Sequence, residues 1–533
     1  MNDAAPPRTP WSHRSPDQRW DTIVVGSGIG GMVAAALLAR AGQRVLVLES
    51  HTTPGGFTHS FCRQGYEFDV GLHAVGEAGK PHEIGRLLDY LTDGRLAWAP
   101  LGRIYDGFDF PGGFHIDFPD DADEFRAALE RAFPAERGAI AAYFTLVREA
   151  RGAIQDYLLA RTLPLGLAPV VDRLVWRRAH RYFGRTTADV LGSVGASPRL
   201  GRVLTAQWGY YGTPPARSSF AIHSIVVRHY LGGAYYPVGG AARIAAALLG
   251  PVAAAGGWTR TGATVEQILI ERGRAVGVRL VGGEEIRARR LISAVGIGAT
   301  VRRLLPREQQ QARWAQEVRQ LEPSPAHCAL YLGFKGDIAA AGARPSGHWY
   351  YNSWDADLDA WDVGERPLGP PPMTYCSFAS LKDPAHDPGP EQRHTGQVLA
   401  LTPWRHFAAW QELPWRKRGA DYEQLKASIR RQLLAELLRR MPRLGPLIDF
   451  AELSTPLSTD TFCHPLEGAM YGLRATPARY ACPWLRPRSP IAGLYFAGAD
   501  AASPGVVGAL IGGVLAALAV APLGTLAQVR HLR

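Results

Sequence analysis

Val24-Val25-Gly26-Ser27-Gly28-Ile29-Gly30-Gly31, followed by Val45-Leu46-Val47-Leu48-Glu49, constrains the fold of this chain more than any other stretch. It reads as a buried strand, a glycine-rich turn, a helix, a second strand and then an acid. Gly26 allows the tight turn, Gly28 lets a pyrophosphate approach the backbone, and Gly31 lets the helix pack closely on the strand. Ser27 and Ile29 complete the turn. The helix beginning near Gly30 directs its free N–H groups and positive dipole end at the phosphates. Glu49 stands 18 positions after Gly31, where a carboxylate accepts the hydroxyls of an adenosine ribose, and Ser50 follows it. Strand, helix and acid agree, so the spacing predicts an α/β unit of Rossmann type with a bound dinucleotide, not an ordinary glycine turn.

At 533 residues the chain is too long for one compact core, and two or three structural units are expected. Hydrophobic residues are 46% and charged residues 20%, an ordinary globular balance that permits a large apolar core. The net charge of +11 is carried almost wholly by Arg, because Lys occurs only at Lys80, Lys335, Lys382, Lys417 and Lys426. No clustered basic face with a known module is visible, which argues against a nucleic-acid partner. Five scattered cysteines (Cys62, Cys328, Cys376, Cys463, Cys482) without any CxxC argue against a disulfide framework and against a metal site. They fit a reducing, cytoplasmic compartment. Residues 1–20, with four prolines and no apolar core, read as a disordered leader and not as a signal peptide.

From Ala501 to Val529 no residue is charged, which by length alone suggests a membrane span. Pro504, Gly505, Gly508, Gly512 and Gly513 oppose that, and a strand-like run from Gly493 to Ala497 leads straight in. A buried helix whose glycines permit close approach of a flat ligand explains the composition better.

The nucleotide-binding unit is expected in three pieces, 21–100, 232–300 and 485–523. In the second, Thr264–Ile270 and Ala275–Leu280 alternate apolar and polar, predicting an antiparallel meander around a turn at 271–274. Leu291–Gly296 reads as a further buried strand returning to the main sheet. Residues 101–231 and 301–484 are assigned to a discontinuous α+β substrate domain, and 524–533 to a tail. Helical patterns there cover Ala122–Ala132, Ala139–Gln155 and Asp421–Leu438, and strand-like runs cover Cys328–Phe334, Met373–Phe378 and Gln397–Leu401. Gly296-Ile297-Gly298 also follows a strand, but position 301 is Val, so no second dinucleotide fingerprint is present.

Several further runs carry a family likeness. They are Leu48-Glu49-Ser50-His51 with Gly55-Gly56, Tyr66-Glu67-Phe68-Asp69-Val70-Gly71-Leu72-His73, Tyr236-Pro237-Val238-Gly239-Gly240, and Leu494-Tyr495-Phe496-Ala497-Gly498-Ala499-Asp500. Together they resemble the flavin-dependent amine-oxidase superfamily, within it the phytoene desaturase, carotenoid isomerase and retinol saturase branch. Leu72-His73 where desaturases continue Gly-Pro, the Tyr211–His223 stretch, Lys382-Asp383-Pro384 and Pro465–Gly472 are most similar to the retinol saturase-like group. Phe57 stands where many amine oxidases carry Arg, which weakens any analogy to amine chemistry.

The resemblance implies FAD. It places Gly55 and Gly56 at the diphosphate, Val265 at the adenine, and Gly498 and Asp500 near the ribityl and phosphate groups. Gly505 and Gly508 would open a helix facing the flavin's pyrimidine edge. It also implies an oxidoreductase acting on carbon–carbon double bonds of an apolar isoprenoid or polyene, a lipophilic small molecule such as a retinoid or carotenoid. Desaturation, redox-neutral cis–trans isomerisation and a non-catalytic lipid-escort role are the alternatives. The electron donor or acceptor is left open. Saturation requires a proton donor, for which His73, Tyr471, Cys463 and His464 are candidates, with His73 favoured because its segment should run past the flavin. Trp208, Tyr210, Tyr211, Tyr235 and Tyr236 are candidates for an apolar tunnel, against the plainer reading as core. The basic, apolar stretch Tyr157–Phe183 reads either as a solvated helix face or as peripheral contact with an anionic membrane on its cytoplasmic face.

Overall fold

A computed structural model describes residues 9–355, 360–365 and 367–530. The apolar runs Trp20–Val25 and Val45–Leu48 are strands paired in parallel, with Ile23 opposite Leu46 and Val25 opposite Leu48. A parallel pair needs a crossover, which the helix Ile29–Arg40 supplies. That helix is apolar on every side and buried along almost its whole length, so it must be covered all round. The sheet beneath and the helices Ala242–Ala254 and Gly505–Val520 cover it.

The first sheet runs in the order Trp11–Ser12, Trp258–Arg260, Val45–Leu48, Trp20–Val25, Glu285–Ser293, Arg274–Leu280 and Val265–Glu271. The expected meander is present, with the turn where the alternation placed it. Leu291–Gly296 is not a separate strand. It is the end of one long strand, Glu285–Ser293, that changes partners halfway. Its exposed–half-buried half pairs antiparallel with Arg274–Leu280 (Gly277 opposite Arg287). Its fully buried half pairs parallel with Trp20–Val25 and with Leu494–Phe496 (Ile292 opposite Val24 and Tyr495). The change of burial pattern marks the point where the strand passes from an open ribbon into a sheet covered on both faces.

A second sheet runs Ile448–Ser454, Ala326–Lys335, Arg393–Thr402, Met373–Ser377, Gly347–Tyr351, Ile104–Phe110 and Phe114–Pro119. The helix Ala420–Arg440 packs against its central strands. Helices occupy most of 122–230, including Arg137–Ala160 and Ala168–Phe183. The architecture is α/β, with a Rossmann-type unit joined to an α+β unit assembled from separated stretches of chain.

Two expectations are corrected. Of the expected disordered leader, residues 1–8 lie outside the described residues and 9–20 are ordered: Trp11–Ser12 adds a parallel strand to Trp258–Arg260, Trp11 packs on the core, and Gln18 donates to the Gly256 carbonyl at 3.0 Å. Pro10 and Pro16 flank this edge without preventing its docking. The tail carries part of the helix Pro522–Val529.

The glycines of the uncharged C-terminal stretch have a packing reason. A Cβ on Gly30 would lie 2.6 Å from the Ala509 carbonyl oxygen and 2.7 Å from the Gly498 Cα, and one on Gly512 or Gly513 would collide with the carbonyls of Gly498 and Gly30. The two helices therefore meet backbone to backbone. No helix among the described residues is long and apolar enough to cross a membrane. Gly513→Ala is expected to cost about 1–3 kcal/mol through overpacking and to lower the thermal midpoint. Gly152→Ala, in a helix where a Cβ meets nothing within 4 Å, is expected to leave the midpoint unchanged or raise it.

Candidate active site

One cavity of about 560 Å³ runs from the glycine turn to the second sheet. Its first part is walled by Gly26, Gly28, Ile29, Gly30, Glu49, Ser50, Gly55, Gly56, Val265, Gly498, Asp500 and Gly505. The structure thus gathers these sequence-selected positions around one space. Ser27, Gly31 and Gly508 stand behind that wall. Ser27 Oγ donates to Glu49 Oε2 at 2.5 Å and accepts the Gly55 N–H at 3.0 Å, so it ties both glycine segments to the acid. Gly31 abuts the Gly26 carbonyl, and Gly508 the Ser503 carbonyl. Glu49 also accepts from the Ser27 N–H at 3.0 Å and the His51 N–H at 2.8 Å, which fixes its carboxylate at the cavity edge.

Asp500 does more than line the wall. Its Oδ2 accepts the N–H groups of Ile297 and Gly298 at 2.8 and 3.3 Å, and its Oδ1 that of Leu473 at 2.9 Å. The Gly296-Ile297-Gly298 turn therefore binds a carboxylate of its own chain.

The other end of the cavity is apolar and aromatic: Gly209, Tyr210, Trp349, Met373, Tyr375, Leu399, Leu401, Met470 and Tyr471, with His73 and His327 set among them. Of the five aromatics expected to line a tunnel, Tyr210 does so. Trp208, Tyr211 and Tyr236 are buried core, and Tyr235 packs over Gly79. The wall is completed instead by Trp349 and Tyr375 from strands of the second sheet, whose rings lie 4.4 Å apart. No residue of 157–183 lines the cavity.

The signature runs meet around this end. Asp69 accepts from the Tyr236 hydroxyl and from the Ala241 N–H at 3.1 Å, and burial pushes its carboxyl up to about 6. Asp383 accepts the Gly239 N–H at 3.0 Å. Lys382 is 4% exposed and donates to the His73 carbonyl at 2.8 Å and to Ser377 Oγ at 2.7 Å. Burial lowers its ammonium to about 8, opposed by Asp106 and Asp69.

All four proposed proton donors line the cavity, and burial perturbs His73, Cys463 and Tyr471. Burial, then Lys382 and His327, lower the His73 imidazole to about 3, so at neutral pH its acidic form is absent. Its Nε2 has no hydrogen-bond partner among the described residues. Burial raises the Cys463 thiol to about 12 and carries the Tyr471 phenol higher still. His464 caps a helix in the left-handed region (φ 52°), and its carbonyl accepts from Arg303 at 3.0 Å.

The sequence reading missed Asp106, Lys382 as a buried cation, and the Trp349–Tyr375 wall. Asp106 had a signal: in Ile104–Phe110 it is in phase with Phe108 and Phe110, an acid on the apolar face of a strand.

The chain matches the family described as flavin containing amine oxidoreductase over residues 29–521. It is 33% identical to the all-trans-retinol 13,14-reductase of Rattus norvegicus, over 94% of this chain and 86% of that protein. It is 27% identical to the chloroplastic prolycopene isomerase of Arabidopsis thaliana, over 94% and 82% respectively. Among solved structures, cyclohexylamine oxidase from Brevibacterium oxydans superposes with a TM-score of 0.60 at 17% identity, covering 97% of this chain and all of that one.

The cradle fits the flavin dinucleotide. A Cβ on Gly28 would point into open space, with no protein atom within 4 Å, and Gly56 faces it across the turn. The helix Ile29–Arg40 opens there with no acid in its first turn, and Glu49 stands at the edge. Gly28 has φ −59°, a conformation open to any residue. Gly28→Ala is accordingly expected to leave the unliganded protein's thermal midpoint unchanged while weakening FAD retention, read by flavin fluorescence released on denaturation. On these grounds the chain belongs to the flavin-containing amine oxidoreductase family, with FAD as its cofactor.

Proposed function

We propose that this chain adds two hydrogens across a carbon–carbon double bond of an apolar polyene, a retinoid or carotenoid. The observation that carries the reading is the single cavity whose one end is a dinucleotide cradle and whose other end is an aromatic, apolar chamber. The identity with the rat all-trans-retinol 13,14-reductase across nearly the whole chain supports the same substrate class. When bound, reduced FAD supplies the hydride. The protein binds and orients the polyene between Tyr210, Trp349, Tyr375 and Tyr471, whose flat faces suit a conjugated chain. The same walls exclude water, so charges inside act at low dielectric. His73 enters as a neutral hydrogen-bonding group beside Tyr375, 5.1 Å away ring to ring.

Likeness to a prolycopene isomerase favours a redox-neutral rearrangement as the second reading. Anaerobic reduction of the holoprotein, addition of retinoids and carotenoids, and product mass spectrometry separate the two. A gain of two hydrogens is the expected outcome, and an unchanged mass with altered chromatographic mobility would favour isomerisation.

The partner surface is the hairpin of Arg137–Ala160 and Ala168–Phe183. Leu159, Leu167, Val170 and Leu174 are each more than half exposed there, next to exposed Arg173, Arg177, Arg178 and Arg181. Arg486 holds the hairpin to the body, donating to Asp172 at 3.0 Å. An apolar tip with a cationic rim suits reversible attachment to an anionic bilayer, at about 1 kcal/mol per Arg. Co-flotation with phosphatidylserine vesicles is expected, weakened by salt and by Leu167→Asp with Leu174→Asp; recovery wholly in the protein fraction would remove this contact.

A further inference from the structure

Asp106 is a buried acid set behind the cavity wall. It stands on Ile104–Phe110 at 0% exposure, does not itself line the cavity, and lies behind two residues of its wall, Tyr210 and Trp349. Of the two, Tyr210 carries the hydroxyl and is partly exposed. The Tyr210 hydroxyl lies 2.9 Å from Asp106 Oδ1 and 2.8 Å from Oδ2. A phenol has one proton and cannot give two good hydrogen bonds at once. Both short contacts are satisfied when the carboxyl is itself protonated and donates back to the Tyr210 oxygen. Around the pair, the Tyr230, Trp349 and Tyr375 rings lie 4.8, 5.0 and 6.0 Å from that of Tyr210, so bulk water does not intervene.

Resting on the functional reading above, we propose that Tyr210 protonates the substrate alkene and that Asp106 is the proton store behind it. In the step, a C–H bond forms at one alkene carbon as the Tyr210 O–H bond breaks. The Asp106 proton passes to the Tyr210 oxygen in the same event, leaving a carboxylate and no tyrosinate. The adjacent carbon would take the hydride that FAD, when bound and reduced, would supply, so that C=C would become CH–CH. Asp106 is reprotonated between turnovers. Tyr471, on the same wall, has no carboxyl hydrogen-bonded to it among the described residues and would have to ionise alone.

The electrostatics agree. Burial pushes the Asp106 carboxyl up to about 7, opposed by hydrogen bonding from Tyr210 and Trp349 and by Lys382. The other titratable groups facing it are the phenols of Tyr105, Tyr230, Tyr351 and Tyr375, all held protonated by burial. Burial also carries the Tyr210 phenol well above its ordinary range, so a proton lost to substrate is recovered from Asp106 at once. The donating form is the protonated acid, present below about pH 7 and lost above it.

The test uses anaerobically reduced holoprotein, all-trans-retinol, and the isosteric variants Asp106→Asn and Tyr210→Phe. Both are expected to keep the FAD spectrum and thermal midpoint and to leave KM little changed, while kcat falls by about a hundredfold or more. The double variant is expected to fall no further than the worse single variant, because the two act as one unit. Wild-type kcat should decline as pH rises through about 7, whereas the residual kcat of Asp106→Asn should be flat. Wild-type turnover with near-normal rates in Tyr210→Phe, or an unaltered pH profile in Asp106→Asn, overturns the proposal and leaves the functional reading standing. No product from the wild type overturns that reading, and this proposal with it. Should Asp106→Asn not fold, Tyr210→Phe decides alone, since the phenyl ring fills the same space.

Discussion

The Asp500 carboxylate takes backbone N–H groups from Ile297, Gly298 and Leu473, and the joining of the cradle to the Tyr471 side of the cavity depends on that arrangement. Hydrogen bonds to a charged group are worth about 1.5–3 kcal/mol each, and three of them converge on one residue near the chain's end. Arg479 reinforces the junction by donating to the Leu473 and Ala499 carbonyls. Gly472 follows Tyr471 with φ +70°, and a Cβ there would also collide with Asp500, so the position requires glycine. Tyr471 is thereby held on the aromatic wall while Gly498 and Asp500 stay on the cradle. One carboxylate thus sets the spacing between the two ends of the cavity.

The apolar end is also where the chain buries ionisable groups. Asp69, Asp106 and Lys382 are each removed from water, and each is moved toward neutrality by that burial. Their hydrogen bonds cross between elements: Asp69 to Tyr236, Lys382 to the His73 carbonyl, Asp106 to Tyr210. Low dielectric strengthens these links and makes each costly to break, so the wall is rigid where a polyene would lie. The same burial leaves His73 neutral at neutral pH.

Much of this was legible before folding. The glycine turn, the acid at Glu49 and the meander at 264–280 follow from local periodicity and spacing, which backbone geometry dictates directly. The signature runs at 66–73, 236–240 and 382–384 stood out as separate words, and nothing local said that they touch. Trp349 and Tyr375 were illegible because their facing depends on strand order in the second sheet, where Gly347–Tyr351 pairs with both Met373–Ser377 and Ile104–Phe110. Trp208 and Tyr211 beside Tyr210 show the limit: adjacent aromatics point to different places, and only packing says which one meets the cavity.

The sequence by itself determined that a flat dinucleotide is held at a helix N-terminus, because the steric needs of glycine and the reach of one carboxylate are properties of a few neighbouring residues. Which residues face the bound molecule's reactive end was decided only by tertiary structure. There the chamber is built from strands and turns far apart in the chain, and the protonation of His73, Lys382 and Asp106 is set by how much water their neighbours remove. Desolvation is a property of the assembled whole, and no run of residues carries it alone.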